Sequence, residues 1–317
     1  MARANQLKPK EFEQQDKDHL SGFTDWEQHA HAADWMLFPQ KLGPHLSLDE
    51  VAVTNGELWT TLTNKAAHGK KGALVAMIQG TKASDMAHVF EKLPAGARHA
   101  VTAVTLDMAA NMELAVKPSF PRAKLVTDRF HVQQLISEAV QDIRIELRRA
   151  ALKEENDHLK QARQAGKPST PIMYENGDTT KQLLARSRCL LFKPQSNWHD
   201  QQKARASILF QHYPQLKLGY ALAMMVRGCY EYSTSIPAAR EKLQAWYRKV
   251  EDKTMDTFLP AAESIRLHEP TILNDFVNRS TTASAESFKA KLKNFRALVR
   301  GVRDKKFHLF RIAKLYG

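Results

Sequence analysis

The sequence predicts an α/β fold: a mixed five-stranded sheet with flanking helices and an all-α insertion before the last helix. Three observations lead to this prediction. Residues 46–79 hold three β-rich runs separated by turn signals, as in an antiparallel meander. Residues 101–127 hold two short apolar runs joined by helix-forming residues, which is typical of a parallel strand pair. Residues 132–276 show helical periodicity almost throughout.

The charge balance bounds the kind of partner. The chain of 317 residues has 47 Lys and Arg against 34 Asp and Glu, a formal net charge of +13. Such an excess favours a polyanion, because each cation placed near a phosphate releases condensed counterions. No apolar stretch approaches the length of a membrane span, and the first residues lack the apolar core of a signal peptide. We therefore expect a cytoplasmic protein with no membrane partner.

Two groups of possible metal ligands are interpreted as structural. Cys189 and Cys229 lie far apart in no metal-like spacing, so we expect buried thiols in a reducing compartment. His29, His31 and Asp34 do not share one face of a short helix. They belong to a polar N-terminal segment, residues 1–45, in which a few apolar side chains are the expected docking points. These are Trp26, Trp35, Leu37 and Phe38.

The meander begins with LSLDEVAV, a strand interrupted by the acidic pair Asp49 and Glu50. Asn55-Gly56 follows, the strongest short hairpin signal. LWTTLT and ALVAMIQ then predict the second and third strands. Ser84 is the expected N-cap of an amphipathic helix over residues 85–93.

The stretch from Val101 to His131 predicts two strands that both end in an acid. The first apolar run ends at Asp107, and the helix after it is expected to stop at Pro118 and Pro121. The second apolar run ends at Asp128, with His131 one turn further on. An acid at a strand end is often only a cap for the next helix. Two such acids and a histidine at the carboxyl edge, where open α/β sheets build their sites, predict a functional site.

The order of elements is three antiparallel strands, a helix, a fourth strand, a helix and a fifth strand. This is the ribonuclease H-like order, with one acid inside the first strand and another at the end of the fourth. In such a sheet the first and fourth strands are adjacent. Asp49 and Asp107 are therefore expected to be neighbours despite their separation in sequence.

After His131 the chain is predicted to be helical. Apolar residues recur at three and four from Val132 to Ala151, and the opposite face carries cations. A loop is expected over residues 166–178, followed by further helices with pauses at prolines. The cations of the long helix are Arg144, Arg148, Arg149 and Lys153.

A last helix is predicted to begin near Ala283. Glu286 lies nearly opposite its apolar stripe and shares a face with Lys289 and Lys293. Two interpretations remain open. One is a solvated Glu–Lys pairing worth a few tenths of a kcal/mol, and the other is a carboxylate with two lysines facing a phosphate backbone. The apolar stripe comprises Phe288, Leu292, Phe295, Val299 and Val302.

Phosphodiester chemistry would explain why a basic protein gathers a few acids. Two hard cations about 3.5–4 Å apart can stabilise both the attacking and the leaving oxygen at phosphorus. Mg²⁺ prefers carboxylate oxygens and keeps several waters, so two or three acids suffice. The sequence has no glycine-rich phosphate loop, no nucleophilic Ser or Cys elbow and no zinc-type cysteine set. The acids therefore favour metal-dependent chemistry.

Three segments carry a family resemblance. LSLDE, VTLDMAANMELAVKPSFPRAKLVTDRFHV and AESFKAKLKNFRALVRGVRDKKFHLFRI resemble the catalytic domain of ISL-three-type insertion-sequence transposases. The middle segment, an acid after a strand followed by F-P-x-A and D-R-F-H, is the most specific. The resemblance covers about Trp35 to Gly317. It implies a DDE transposase with a ribonuclease H-like catalytic domain and an all-α insertion before the final helix.

The resemblance also implies roles for single residues. Asp49, Asp107 and Glu286 match the three catalytic acids, which would hold two Mg²⁺ or Mn²⁺ ions. Asp128 and His131 match a C/D-x-x-H motif that packs near the site without being a catalytic acid. An alternative is that Asp128 is the second metal ligand, although strand order favours Asp107.

The expected organisation follows from these matches. Residues 1–45 form an N-terminal segment, 46–135 with 280–317 the catalytic core, and 136–279 the insertion. DNA, as transposon ends and target, is the expected partner, with a homo-oligomer assembled on it. Cations are expected to contact its backbone, namely Arg129, Arg144, Arg148, Lys289, Lys293, Arg300 and Arg303.

The expected activity is cleavage of DNA strands and transfer of the freed 3′-hydroxyl to target DNA. The alternatives are an inactive DNA-binding relic and a nuclease without strand transfer. The chain departs from the family in two ways. Neither a cysteine-rich zinc finger nor a helix-turn-helix precedes Asp49, which suggests a separate small DNA-binding protein as a further partner. Phe288 and Lys289 stand where asparagines often follow the Glu.

Overall fold

The computed structural model describes residues 9–317, except 55, 167, 169–170, 172, 254, 279–282 and 299–303. The chain divides into two compact units. The sheet unit comprises Met1–Asp128 and Arg279–Gly317, and the helical unit comprises Arg129–Asn278. The described part of the chain contains no helix with the length and apolarity needed to cross a membrane.

In the residues that the structure describes, the sheet unit is built on six strands in the order β1-β4-β3-β2-β5-β6. The three pairings from β1 to β2 are antiparallel, and the β2–β5 and β5–β6 pairings are parallel. The strands are β1 (Trp35–Leu37), β2 (His45–Thr54), β3 (Glu57–Asn64), β4 (Leu74–Gln79), β5 (Ala103–Leu106) and β6 (Lys124–Thr127).

The predicted count of five strands is wrong because β1 was not foreseen. Three residues are too few to show a period of two, so Trp35 and Leu37 suggested only docking points. In the structure, Trp35 pairs with Ile78 at the edge of the sheet. Backbone bonds from Phe38 N to Val75 O and from Gln79 N to Asp34 O extend the pairing.

In the described chain, helices and strands are interspersed up to β6, and after β6 the helices follow one another without intervening strands. Short 3₁₀ and π turns lie between some of them. The α-helices are α1 (Pro9–Gln15), α2 (Ala83–Glu91), α3 (Ala95–His99), α4 (Ala110–Ser119), α5 (Arg129–Gln164), α6 (Thr180–Arg186), α7 (Asp200–His212), α8 (Pro214–Tyr232), α9 (Ile236–Asp252), α10 (Leu259–Leu267), α11 (Glu269–Leu273), α12 (Asp275–Asn278), α13 (Ala283–Leu298) and α14 (Lys305–Tyr316).

Two predicted helix boundaries need correction. Ser84 is not an N-cap, because α2 already begins at Ala83 and the Ser84 hydroxyl bonds to Asp85 instead. Pro118 does not stop α4 but lies inside its last turns. A proline there removes one backbone hydrogen bond from the helix, which ends directly after it at Ser119.

The meander and the parallel pair have the predicted arrangement. In the antiparallel register Leu48 faces Leu62, and a bulge near Ala52 precedes the hairpin. Gly56 has a φ of +85°, a left-handed conformation that glycine adopts without a Cβ clash. Asn55, the other half of the predicted turn, lies outside the described residues. β2 and β5 are adjacent and parallel, as expected for the first and fourth predicted strands.

The two faces of the sheet bury different sets of side chains. One face packs under α2 and α4 and buries residues such as Leu46, Leu48 and Phe90. The other, which we call the α13 face, packs under α13 and α14 and buries Val51 and Phe288 among others. Each such apolar side chain contributes roughly 1.5–3 kcal/mol when fully buried. Because side chains alternate along β2, Asp49 lies on the α13 face and Glu50 on the opposite face.

The helical unit packs its helices around the long helix α5. Gly219 of α8 marks the closest approach, because a Cβ there would lie 2.9 Å from Ile143 Cδ1 of α5. Large side chains such as Trp246 and Phe258 fill this core. The prediction of two buried thiols holds for Cys229 but is wrong for Cys189, which is exposed. Cys189 lies in the connection between the short helix α6 and a 3₁₀ turn.

Candidate active site

Asp49 is a buried acid in the middle of strand β2. It is 6% exposed and lies on the α13 face. Its Oδ1 accepts a bond of 2.8 Å from the Glu50 backbone N–H. Lys289 of α13 forms an ion pair with its Oδ2, with both side chains largely buried. An ionised acid at this depth requires a positive partner, which Lys289 supplies.

Asp107 follows directly after β5, at the carboxyl edge of the parallel strands. Ser47 pairs with Thr105 in the parallel register. Two residues further along each strand this register leads to Asp49 and Asp107, so the two acids stand at the same level on neighbouring strands. Asp107 Oδ1 also accepts a bond of 2.8 Å from Ala109 N, the local capping contact that an acid at a strand end often makes.

Glu50 belongs to the same neighbourhood, although only Asp49 of the pair was expected to have a role. Burial raises the pKa of Glu50, and the negative charges of Asp107 and Asp49 raise it further. Lys289 and a hydrogen bond from Asn111 oppose this rise. Three carboxylates and one lysine therefore interact at this end of β2. The sequence signal that could have revealed Glu50 was the acidic pair itself. Adjacent residues of a strand lie on opposite faces, so such a pair places one charge on each face of the sheet.

A buried polar layer lies beside the acids on the α13 face. Thr61 Oγ1 donates to Asp49 O at 3.2 Å, and Thr63 Oγ1 donates to Ser47 O at 3.3 Å. Lys65 reaches into this layer and donates from Nζ to Thr105 Oγ1 at 2.6 Å. Sequence reasoning missed Lys65, because a lysine in a basic turn carries no sign of burial. Its ammonium group therefore places a positive charge at the level of Thr105 and Ser47, two residues before Asp107 and Asp49 on their strands.

Glu286 lies on α13, half-buried and one turn before Lys289. The contact of Lys289 with Asp49 shows that this helix face lies over β2. Lys291 Nζ donates to Gly69 O at 2.7 Å and further fixes the helix on the sheet unit. Among the residues that the structure describes, no three His, Cys, Asp or Glu side chains lie close enough to hold a metal ion. The convergence of Glu286 with the two aspartates stays a prediction.

Asp128 and His131 lie on different units. Asp128 ends β6, is buried, and donates its backbone N–H to Leu106 O at 2.8 Å, beside the start of the Asp107 turn. His131 lies in the first turn of α5, where its ring contacts Phe130 edge-on at 5.7 Å between centroids. Asp128 is thus at the same sheet edge as Asp107, and the alternative assignment of the second ligand stays open.

The cations expected to face DNA have different environments. Lys293 of α13 is exposed, whereas Lys289 is engaged with Asp49. Arg129 is exposed, and its guanidinium lies 5.9 Å from the centre of the Tyr230 ring. Arg300 and Arg303 fall outside the described residues, as do Val299 and Val302 of the predicted stripe.

Arg144 is not on a solvated helix face, and that expectation is wrong. It is 7% exposed, and its guanidinium donates to Gln141 Oε1 at 2.7 Å and to Leu184 O at 3.0 Å. The physical reason is that α6 covers this side of α5, so a polar stripe of α5 becomes an interior contact. Arg148, one turn further on, is exposed as expected.

The comparisons with known proteins point to one family. A family model of DDE transposases of the ISL3 type, described as "Transposase", matches residues 46–312. The chain belongs to this transposase family. The match spans both units and includes Asp49, Asp107 and Glu286, and it confirms the resemblance noted in the sequence.

A curated protein is similar to this ISL3-type transposase chain over most of the length of the chain. It is the "Transposase for insertion sequence element IS1001" of Bordetella parapertussis, 25% identical over 270 residues. The aligned region is 84% of this chain and 60% of the relative, so the chain spans about three fifths of that protein. No solved structure matches the chain.

Proposed function

We propose that this chain is the catalytic subunit of an insertion-sequence transposase that cleaves DNA strands and joins the freed 3′ ends to target DNA, with Mg²⁺ or Mn²⁺. One observation supports this most strongly. Asp49 and Asp107 stand at the same level on adjacent parallel strands, under the helix that carries Glu286. Acids in this arrangement suit phosphodiester chemistry, in which negative charge develops between two oxygens.

The fold supports the same proposal. A sheet with an antiparallel meander beside two parallel strands, covered by α13 on one face, agrees with a ribonuclease H-like core. In this proposal, residues 46–135 and 280–317 form the catalytic core and residues 136–279 an all-α insertion. The division of the chain into a sheet unit and a helical unit, with the chain returning to the sheet after Asn278, supports it.

The donors at this edge suit divalent cations. Carboxylate oxygens are the protein ligands that Mg²⁺ prefers. Asp49 already holds a cation, the Lys289 ammonium, and the pKa of Glu50 is raised by its burial and by Asp107 and Asp49. Like charges gathered in this way are stabilised by added positive charge. When bound, two such ions would stabilise the attacking and leaving oxygens of the reacting phosphate.

The protein's own residues would divide the work as follows. Asp49 and Asp107 provide ligand oxygens from the sheet, and Glu286 provides a third carboxylate from α13. Lys289 neutralises Asp49 when no metal occupies the site and holds α13 over β2. Lys65 supports the polar layer beneath through Thr105. Asp128 supports the end of β6 rather than binding metal, because it lies one strand further from β2.

DNA binding would rest mainly on phosphate contacts. The net charge of +13 and exposed cations such as Arg148 and Lys293 support this proposal. Each phosphate contact adds nearly one unit to the slope of log affinity against log salt, and such contacts carry no base readout. We therefore expect binding that falls steeply with salt.

The test uses the purified chain, a labelled duplex carrying the end of its insertion sequence, a target plasmid and Mg²⁺ or Mn²⁺. Strand-transfer products that disappear in Asp49→Asn and Glu286→Gln, but not in the exposed control Asp252→Asn, would support the proposal. Cleavage without joining would indicate a nuclease. Binding without either reaction would indicate an inactive DNA-binding protein, and both of these results would overturn the proposed activity.

A further inference from the structure

The helical unit contains an open cavity of about 760 Å³ along one side of α5. Its wall is rich in charge. Four arginines and two acids line it: Arg144, Arg148, Arg149, Arg188, Glu138 and Asp142. The arginines outnumber the acids by two. The lining therefore has a net positive charge.

Arg144 forms a fixed cationic part of this wall. Its guanidinium is held by Gln141 Oε1 and by the carbonyl of Leu184, so its position is set by the packing of α5 against α6. Gln141 in turn donates from Nε2 to the Arg188 carbonyl at 3.4 Å, which ties the chain after α6 to the same wall. A buried guanidinium with fixed partners is a prearranged positive charge, not a mobile surface group.

Arg148 and Arg188 are exposed and close to Arg144. Burial lowers the pKa of Arg144, and repulsion from Arg148 and Arg188 lowers it further. Guanidiniums gathered in this way repel one another, and an anion bound among them would offset that repulsion.

We propose that this arginine cavity binds a phosphate group of a DNA backbone. Guanidinium groups match phosphate oxygens with paired, charge-assisted hydrogen bonds. The cavity also exposes apolar surface from Ile145, Leu152 and Phe192, which suits a deoxyribose next to the phosphate. Its volume falls within the range of about 300–1,000 Å³ that accommodates ligands larger than a single ion.

The choice of DNA rests on the proposed function, since the same chemistry would also bind a free nucleotide. In this site Arg148 and Arg188 contact the phosphate, and Arg144 acts as a positioning residue that fixes the wall. The site is separate in residues from the acids of the sheet unit. It gives the helical unit a defined phosphate contact in place of a diffuse basic surface.

The test measures binding of a fluorescein-labelled random-sequence duplex by anisotropy over a salt series. Arg148→Ala and Arg188→Ala should each weaken binding and reduce the slope of log affinity against log salt by about one unit. Arg248→Ala is the matched control, because it removes one exposed arginine of the same unit from α9, outside the cavity. Its slope should stay close to that of the wild type. Arg188→Lys should recover part of the loss, since it restores charge without the planar fork.

A second arm titrates inorganic phosphate and a deoxynucleoside monophosphate by calorimetry. Loss of nucleotide binding in Arg188→Ala with unchanged duplex binding would make this a nucleotide site and overturn the proposal. Wild-type duplex affinity and salt slope in all four variants would overturn it as well. The proposed function can fail independently of this site. If the wild-type chain binds duplex through Arg188 but never cleaves it, the phosphate site is supported and the transposase activity is refuted.

Discussion

Two carboxylates in different units, one buried and one half-buried, have opposite environments. Asp178 of the helical unit is 1% exposed and accepts bonds from Arg186 and from Arg205, the latter at 3.0 Å. Burial alone would raise its pKa, but the hydrogen bonds and charges of the two arginines outweigh burial and lower it. In the sheet unit the pKa of Glu50 is raised by burial and by two neighbouring acids.

The difference separates a structural charge from a site. Arginines surround Asp178, so its negative charge is balanced within the fold. At the ends of β2 and β5 three carboxylates share one neighbourhood instead: Lys289 pairs with Asp49, and the charges of Asp49 and Asp107 still raise the pKa of Glu50. Such crowding destabilises the metal-free protein and is the arrangement expected where a cation binds. We therefore interpret Asp178 as part of the fold and Asp49 with Asp107 as part of the chemistry.

The largest expected effect distinguishes Asp107 from Asp128. Asp107→Asn should reduce strand cleavage by more than about 100-fold, because losing even an outer partner of a metal ligand typically costs about 10–100-fold. DNA affinity should be unchanged. Asp128→Asn should reduce cleavage less and lower stability instead. Single-turnover cleavage and thermal melts of both variants check this. Loss of metal binding in Asp128→Asn alone would reverse the assignment.

His308 extends the comparison to a buried base. Its ring stacks on Phe295, and burial, with Arg311 and Arg296 adding to the effect, lowers its pKa from 6.5 to about 4. Between these pH values the unfolded chain binds the proton and the folded chain does not, so stability falls as the pH falls. The loss should reach about 3 kcal/mol.

Denaturant unfolding from pH 7 to pH 4 measures this contribution. His308→Gln should remove that part of the pH dependence, whereas His99→Gln, at an exposed position, should retain the wild-type curve. Identical curves for His308→Gln and the wild type would show that this ring does not titrate as described.

Asp178→Asn should destabilise the fold without affecting chemistry. It replaces charge-assisted bonds to two arginines, and the cost should be about 1–3 kcal/mol, moderated because Arg186 is solvent-exposed. The lowered pKa means that this stabilisation is present above the unfolded value of about 3.9 and is lost as pH falls through the lower folded value. The exposed Asp252→Asn provides the control in the same unfolding experiment. A variant as stable as the wild type would contradict the structural role.

The smallest expected effect concerns Lys289. Lys289→Ala removes the cation that competes for Asp49, so Mn²⁺ affinity should rise several-fold. The matched control is Lys293→Ala, an exposed lysine one turn further along α13. Calorimetric titration of Mn²⁺ into both variants gives the affinities. Equal affinities in the wild type and Lys289→Ala would mean that the ion pair does not oppose metal binding.

Local patterns predicted the parts of the fold that depend on local rules. The meander, the parallel β5–β6 pair and the placement of Asp49 beside Asp107 follow from apolar runs, turn residues and strand order. Long-range partners were beyond reach. The site role of Lys65 and the ion pair of Lys289 depend on contacts 40 and 240 positions away, with Thr105 and Asp49.

Periodicity also cannot tell which element covers a polar stripe. Arg144 has the helical position of an exposed cation, yet α6 packs over it and Leu184 accepts its hydrogen bond. The three-residue strand β1 is too short for any period to be visible. In both cases the outcome depends on packing between segments distant in sequence, to which local propensity contributes little.

The most direct test of the central claim is the anomalous signal of Mn²⁺ in crystals of the chain with a DNA end. The account predicts peaks between Asp49 and Asp107, with Glu286 brought to within roughly 4–8 Å of both aspartates, as expected for ions about 3.5–4 Å apart. Lys289 should have left Asp49. Manganese bound by Asp128 with Asp107 unoccupied, or Glu286 still remote from a loaded site, would contradict the account.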